Sequence, residues 1–203
     1  MTSSRRQWIA AATALGLALS SPAFSAATFT AASDDMTLGN PKARVTVIEY
    51  ASASCPHCAH FNNEVFPAFK AKYIDTGRVH YVFREFLTAP AEVAAASFLI
   101  ARCAGKDKYF SVLDTIFRGQ EQMYQSGDIH GALLRAAQSA GMTAAQFDAC
   151  LTNEAAGDAL SERVKRYEQR DGINMTPTFV INGKKLEGVS TLADLDAAIA
   201  AAR

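Results

Sequence analysis

Two cysteines separated by two residues, Cys55-Pro56-His57-Cys58, sit directly after a short β-branched run and at the head of a helical pattern. That junction restricts the fold more than any other feature. The run Arg44-Val45-Thr46-Val47-Ile48-Glu49-Tyr50 is too short and too rich in β-branched residues for a helix, and reads as a buried strand. Pro56 suits the first position of a helix. Phe61, Val65, Phe66 and Phe69 then recur at helical spacing to about Tyr73, with Pro67 inside the stretch as an expected kink. Asp75-Thr76-Gly77 ends that helix, and Val79–Phe83 forms a second strand. A strand–helix–strand opening calls for a parallel pair joined by a crossover.

The thiols at this junction point to redox chemistry. Cys55 falls at the expected N-cap, where unpaired N–H groups and the helix dipole favour an anion. His57, when protonated, adds a cation beside the sulfur. Each effect lowers the thiol pKa, favours the reduced form and makes the corresponding disulfide a stronger oxidant. Cys58 lies a turn deeper and should be the buried partner. Haem attachment would need a histidine at position 59, where Ala stands; the nearest is His60. A zinc site from Cys55, His57, Cys58 and His60 is a poor fit, because consecutive residues at a helix start do not surround one ion. An inert staple is equally poor, since so small a ring restrains little chain.

The rest of the chain frames this site. Thr28 to Asn40 reads as an extended polar lead-in. From Pro90 to about Arg170 the pattern is helical: Glu92–Gly105, Lys108–Arg118, Ile129–Ala140, Thr143–Leu151 and Glu154–Arg170, punctuated by Gly105, Gly127, Gly141 and Gly172. Thr178–Ile181, the turn Asn182-Gly183 and Lys184–Gly188 form a hairpin, and Thr191-Leu192-Ala193-Asp194 opens a last helix to Ala201. The expected architecture is α/β: one β-α-β … β-β-α sheet interrupted by a helical insertion. Cys103 and Cys150, both in the insertion, are read as a structural disulfide joining two helices; a redox relay to the first pair, or two free buried thiols, are the alternatives.

The N-terminus carries an address. Arg5 and Arg6 precede an apolar run from Trp8 to about Leu19, then Ser20-Ser21-Pro22 and small residues, which is the pattern of a cleaved signal peptide over 1–26. Ser4-Arg5-Arg6-Gln7-Trp8-Ile9 also resembles a twin-arginine signal, an alternative to the general secretory route. Cleavage would leave 18 basic against 20 acidic side chains and remove Trp8, the only tryptophan. With so balanced a charge there is no bulk electrostatic case for nucleic-acid binding. No run of 18 apolar residues exists to span a membrane.

Glu49 six residues before Cys55, Cys-Pro-His-Cys itself, and Thr176-Pro177 ahead of a strand together resemble the DsbA-like thiol-disulfide oxidoreductases, over essentially the whole mature chain. Phe66-Pro67, Tyr73–Gly77 and Phe83-Arg84-Glu85-Phe86 resemble the bacterial subgroup with a second disulfide in the helical domain. The resemblance implies a thioredoxin fold with an inserted helical domain, divided as 27–88 and 171–203 for the two halves of the thioredoxin fold and 89–170 for the insertion. It implies Cys55 as nucleophile, Cys58 as resolving cysteine, Pro56-His57 as the tuning dipeptide, and Pro177 as a cis-proline. Thr176 beside it would pair with the backbone of an extended substrate. Glu49 matches the buried acid that exchanges a proton with Cys58; the alternative is an exposed carboxylate at the strand's edge. His60, His80 and His130 are expected to be surface or satisfied polar residues.

The same resemblance implies reduced, unfolded exported proteins as substrates, a DsbB-like membrane quinone reductase as reoxidant, a periplasmic location, no metal and no organic cofactor. Thr176 departs from the best-known oxidases, which carry Val there, and resembles the isomerase and reductase branches and several second-disulfide relatives. The dedicated isomerases also carry a dimerisation domain; only about 15 residues precede the first strand here, so a monomer is expected. The expected function is therefore disulfide donation by Cys55–Cys58. The alternatives are a reductase or isomerase kept reduced, and a peptide-binding chaperone without turnover.

Overall fold

The computed structural model describes residues 29–187 and 191–202; the signal peptide expected over 1–26, with Trp8, lies outside them. Among these described residues five strands form one sheet in the order β1-β3-β2-β4-β5: β1 (Met36–Gly39), β2 (Val45–Ala51), β3 (Val79–Glu85), β4 (Thr178–Ile181) and β5 (Lys184–Glu187). Only β2 and β3 run parallel; the outer pairings are antiparallel. The crossover between β2 and β3 is a continuous helical stretch over 56–74. It consists of α1 (Pro56–His60) and α2 (Phe66–Phe69), each followed by a π-helical turn, Phe61–Val65 and Lys70–Ile74. The expected break at Pro67 takes the form of the first π turn. There Phe66 donates its N–H to the Phe61 carbonyl, and the chain re-enters α geometry with Pro67 among the first residues of α2.

Between β3 and β4 lies the helical insertion: α3 (Ala91–Cys103), α4 (Lys106–Ser126), α5 (Ile129–Ser139), α6 (Ala144–Leu151) and α7 (Glu154–Asp171); α8 (Leu192–Ala201) follows the hairpin. Asp128, Thr143, Asn153 and Thr191 cap the helices they precede, Thr143 in a reciprocal capping box with Gln146. Two sequence expectations are corrected. The lead-in contains β1, a short edge strand on β3 that ends at Gly39, where φ is +81° and an added Cβ would meet the Val79 carbonyl at 2.5 Å. And α4 does not stop near Arg118 but runs through Gly119 to Ser126, ending at left-handed Gly127.

Helices cover both faces of the sheet, so inward residues alternate between two cores. Val47, Tyr81, Phe83, Phe179 and Ile181 pack with Phe61, Phe69 and the insertion. Ile48, Tyr50, Val82 and Val180 pack with Tyr167 of α7 and Ile173. The alternation continues into charge at the end of β3. Arg84, buried on the α7 side, forms ion pairs with Asp35 and Asp171, each at 3.0 Å, and donates to the Tyr50 hydroxyl at 2.7 Å. Glu85, buried too, accepts from Arg102, Arg163 and the Tyr109 hydroxyl. Removing one partner from such a buried pair typically costs about 3–5 kcal/mol, so these two residues tie lead-in and insertion to the sheet.

Candidate active site

The end of β2, the loop 52–55 and the first turn of α1 bring the sulfurs together. Cys55 is the N-cap, with extended φ/ψ of −82° and 123°, and Pro56 follows as the first helical residue. The two thiols are free, and both are largely buried: Cys55 is 7% exposed and Cys58 1%. Pro56 and His57 between them are exposed.

The two sulfurs have opposite proton affinities. Cys55 is lowered to about 5: the Cys58 thiol donates to it, the contact with Thr176 and the backbone N–H groups of Cys58 and His57 add to this, and burial opposes. Cys58 is pushed well up, first by burial and then by the anion beside it and by Glu49, while the Ser52 N–H, 3.5 Å from its sulfur, partly offsets this. The arrangement gives a thiolate beside a retained thiol.

Across the site, the Thr176–Pro177 peptide is cis, and the Thr176 carbonyl oxygen lies 3.5 Å from the Cys55 sulfur. A second cis bond, Ala89–Pro90, has no counterpart in the sequence reading. The Thr176 hydroxyl is buried with no hydrogen-bond partner among the described residues. Glu49 is buried, not at an exposed edge: it is 3% exposed and accepts from the Tyr81 hydroxyl at 2.5 Å. Burial raises it to about 8, against the lowering effect of Tyr81. It lines an apolar cleft of about 360 Å³ between the 56–74 helix and α4, walled by Phe61, Phe66, Phe110 and Phe117.

Cys103 and Cys150 form a disulfide that joins the end of α3 to α6. His60 and His130 are exposed and His80 is half-buried. Among the described residues no group of three or more His, Cys, Asp or Glu side chains converges as metal ligands do.

Sequence reasoning missed two contributors. Tyr81 stands on β3 opposite Val47, two residues before the partner of Glu49; placing the two apolar strands in parallel register could have found it. Gln120, buried on α4, donates to the carbonyls of Ala53 at 2.8 Å and Cys55 at 3.3 Å. It lies beyond the expected end of its helix, so nothing in the local pattern announced it.

A sheet of this order, a Cys-x-x-Cys at a helix start and a cis-proline facing it define the thioredoxin class. The family profile described as Thioredoxin matches residues 31–201, and the chain belongs to that family. Within it the chain is DsbA-like. It is similar to the crystal structure of alpha-DsbA1 from Wolbachia pipientis, at a TM-score of 0.78 and 28% identity, covering 85% of this chain and 92% of that one. A protein of Rickettsia typhi named for protein-disulfide oxidoreductase activity is 33% identical over 164 residues, 80% of this chain and 60% of the relative. Disulfide bond formation protein D of Bacillus subtilis is 26% identical over 78% of this chain and 71% of its own length. The chain spans about three fifths of the length of the rickettsial relatives it matches.

Proposed function

We propose that this chain is an exported protein-disulfide oxidoreductase acting as an oxidase: its Cys55–Cys58 disulfide passes to reduced, unfolded proteins in the periplasm. The observation that carries the reading is the division of proton affinity between two sulfurs one helical turn apart, with Cys55 the stabilised anion. A thiolate so stabilised is a good leaving group, and that favours giving the disulfide away.

The exchange balances in two steps. A substrate thiolate attacks Sγ of Cys55, the Cys55–Cys58 bond breaks, and Cys58 leaves with the electron pair. Cys58 then takes up a proton, for which buried Glu49, protonated near neutral pH, is the donor. A second substrate thiolate attacks the substrate sulfur of the mixed disulfide, a substrate disulfide forms, and Cys55 departs as the thiolate. The substrate has lost two electrons, which now reside in the two enzyme thiols. Thr176 and Pro177 would hold the substrate as an added extended segment, and Pro56-His57 would tune the potential. Cys103–Cys150 would serve as a staple of the insertion, 89–170, between the thioredoxin halves 27–88 and 171–203. A DsbB-like quinone reductase in the membrane would restore the Cys55–Cys58 disulfide of a monomeric enzyme after removal of residues 1–26.

The test is a titration of the mature protein in glutathione redox buffers, with free Cys55 and Cys58 counted by alkylation mass shift. A potential well above the glutathione couple supports the oxidase. A potential at or below it overturns that direction in favour of the reductase or isomerase, the branches that Thr176 resembles.

A further inference from the structure

Three buried or half-buried hydroxyls on and beside the loop 52–55 are not used by the exchange mechanism. Ser52 and Ser54 lie on the loop, and Thr88 on the connection from β3 to α3. Ser52 Oγ is 3.0 Å from Ser54 Oγ, and Ser54 Oγ is 2.9 Å from Thr88 Oγ1 and 2.8 Å from the Thr88 carbonyl oxygen. The backbone N–H groups of Thr88 and Ser54 donate to Ser52 Oγ at 3.1 and 3.4 Å.

Counting protons fixes the direction of every bond. Ser52 Oγ already receives two N–H groups, so its own proton goes to Ser54 Oγ. The single proton of Ser54 goes to the Thr88 carbonyl, leaving Thr88 Oγ1 to donate back to Ser54 Oγ. Ser54 is therefore the hub, and each hydroxyl is satisfied only with all three present.

We propose that Ser54 and Thr88 form a hydroxyl clasp that positions the catalytic loop, and are positioning residues for the Cys55 thiolate. The proposal rests on the thiol-exchange reading above. The clasp holds the loop from the side of the β3–α3 connection, and the Gln120 amide holds it from α4 through the carbonyls of Ala53 and Cys55. Between these two ties the chain has little freedom: the Cys55 N–H donates to the Ser52 carbonyl, and the Ser52 N–H points at the Cys58 sulfur. The N–H groups of His57 and Cys58 and the Cys58 thiol can therefore meet the Cys55 sulfur without reorganising when it becomes an anion. Gln120, which also faces the Cys55 residue, carries no charge, and the Thr176 contact that helps lower Cys55 comes from across the site, outside the clasp. A change in the titration of Cys55 in a clasp variant thus reports on how the Cys58 thiol and the N–H groups of Cys58 and His57 meet its sulfur.

Loosening the clasp should leave the thiolate less well met, the reduced form less favoured and the disulfide a weaker oxidant. The test uses Ser54→Ala, the near-isosteric Thr88→Val and the conservative Thr88→Ser. The readouts are the pH titration of thiolate absorbance and the reduction potential, with denaturation of both redox forms as control. Ser54→Ala is expected to raise the Cys55 midpoint by about one unit and to lower the oxidising equilibrium about tenfold, or about 30 mV for a two-electron couple. Thr88→Val should shift both in the same direction by less, and Thr88→Ser should restore wild-type values.

If Ser54→Ala and Thr88→Val lose stability equally in both redox forms, with midpoint and potential unmoved, the clasp is only structural and the proposal fails. Should Ser54→Ala not fold, Thr88→Val decides the matter by the same two readouts. An ordinary thiol midpoint for Cys55 in the wild-type protein would instead overturn the oxidase reading, which rests on a stabilised Cys55 anion.

Discussion

Cys55 and Cys58 are three positions apart, Cys103 and Cys150 forty-seven, and the chain treats the two pairs in opposite ways. The first pair sits at a helix N-terminus, where N–H groups converge on one sulfur while burial raises the proton affinity of the other. The second joins the last residue of α3 to the last turn of α6, so each cysteine sits at the C-terminal end of its helix and not at an N-cap. A short ring closes almost no chain, so the first disulfide can contribute little to stability and is free to be spent. Closing a 47-residue loop restrains the unfolded chain by up to about 4 kcal/mol in the entropic account. On the proposed reading the same bond is a reagent at one place and a staple at the other, according to what surrounds the sulfur and how much chain it closes.

The sharpest way to break that contrast is to remove sulfurs from one pair and then from the other. Cys55→Ser is expected to reduce oxidation of a reduced test protein to background, and Cys58→Ser to trap mixed disulfides with it. The double substitution Cys103→Ser with Cys150→Ser should leave that oxidation measurable. If Cys55→Ser keeps full activity, the assignment of the first pair is wrong.

A milder probe reads the split within the first pair. In the reduced protein at pH 7, Cys55 should be almost wholly thiolate and Cys58 thiol. By thiolate fraction alone, iodoacetamide should then modify Cys55 faster than Cys58 by more than about a hundredfold. The Cys55 rate should fall with a midpoint of about 5 as the pH is lowered. Equal rates for the two would erase the division on which the oxidase reading rests. The second pair is then probed by denaturation: loss of Cys103–Cys150 should cost up to about 4 kcal/mol, with the Cys55 alkylation midpoint unchanged.

The first pair was legible in the sequence because its determinants are local: the strand, the N-cap and the proline lie within a dozen residues of Cys55. The Asn182-Gly183 hairpin was legible for the same reason, both turn residues having positive φ. What escaped was held by distant partners. β1 is four residues of unremarkable composition and exists because β3 offers it an edge. Arg84 and Glu85 look like the polar end of a strand, yet both are buried, since Asp35, Asp171, Arg102 and Arg163 reach them from elements far along the chain. Gln120 meets the loop 52–55 across more than sixty residues, and Ser54 meets Thr88 across thirty-four. Side chains of ordinary type acquire a role there only through tertiary contact.

The smallest expected effect separates the pairs by pH. Glu49 belongs only to the first pair, and its carboxyl is raised from 4.5 to about 8 by burial. A carboxyl raised on folding stabilises the native state below its unfolded value, and that contribution is lost as the pH climbs through the folded value. Stability should therefore fall between about pH 5 and 8, by at most about 1.4 kcal/mol per pH unit. In the reduced protein the slope is masked, because Cys55, lowered from 9.0 to about 5, adds stability with rising pH over the same window. In the oxidised protein Cys55 no longer titrates; half-buried His80, lowered by burial, still adds a rise of opposite sign, so comparison with Glu49→Gln isolates the fall due to Glu49. Urea denaturation of oxidised wild type and oxidised Glu49→Gln at pH 5, 6, 7 and 8 should give curves that converge or cross as pH rises, the wild type losing stability relative to the variant. Parallel curves would mean that Glu49 ionises like an exposed carboxylate and cannot hold the proton that Cys58 needs. Loss of Cys103–Cys150 through the double serine variant should lower the whole curve and leave its slope alone, because neither the disulfide nor the serines that replace it titrate in this window.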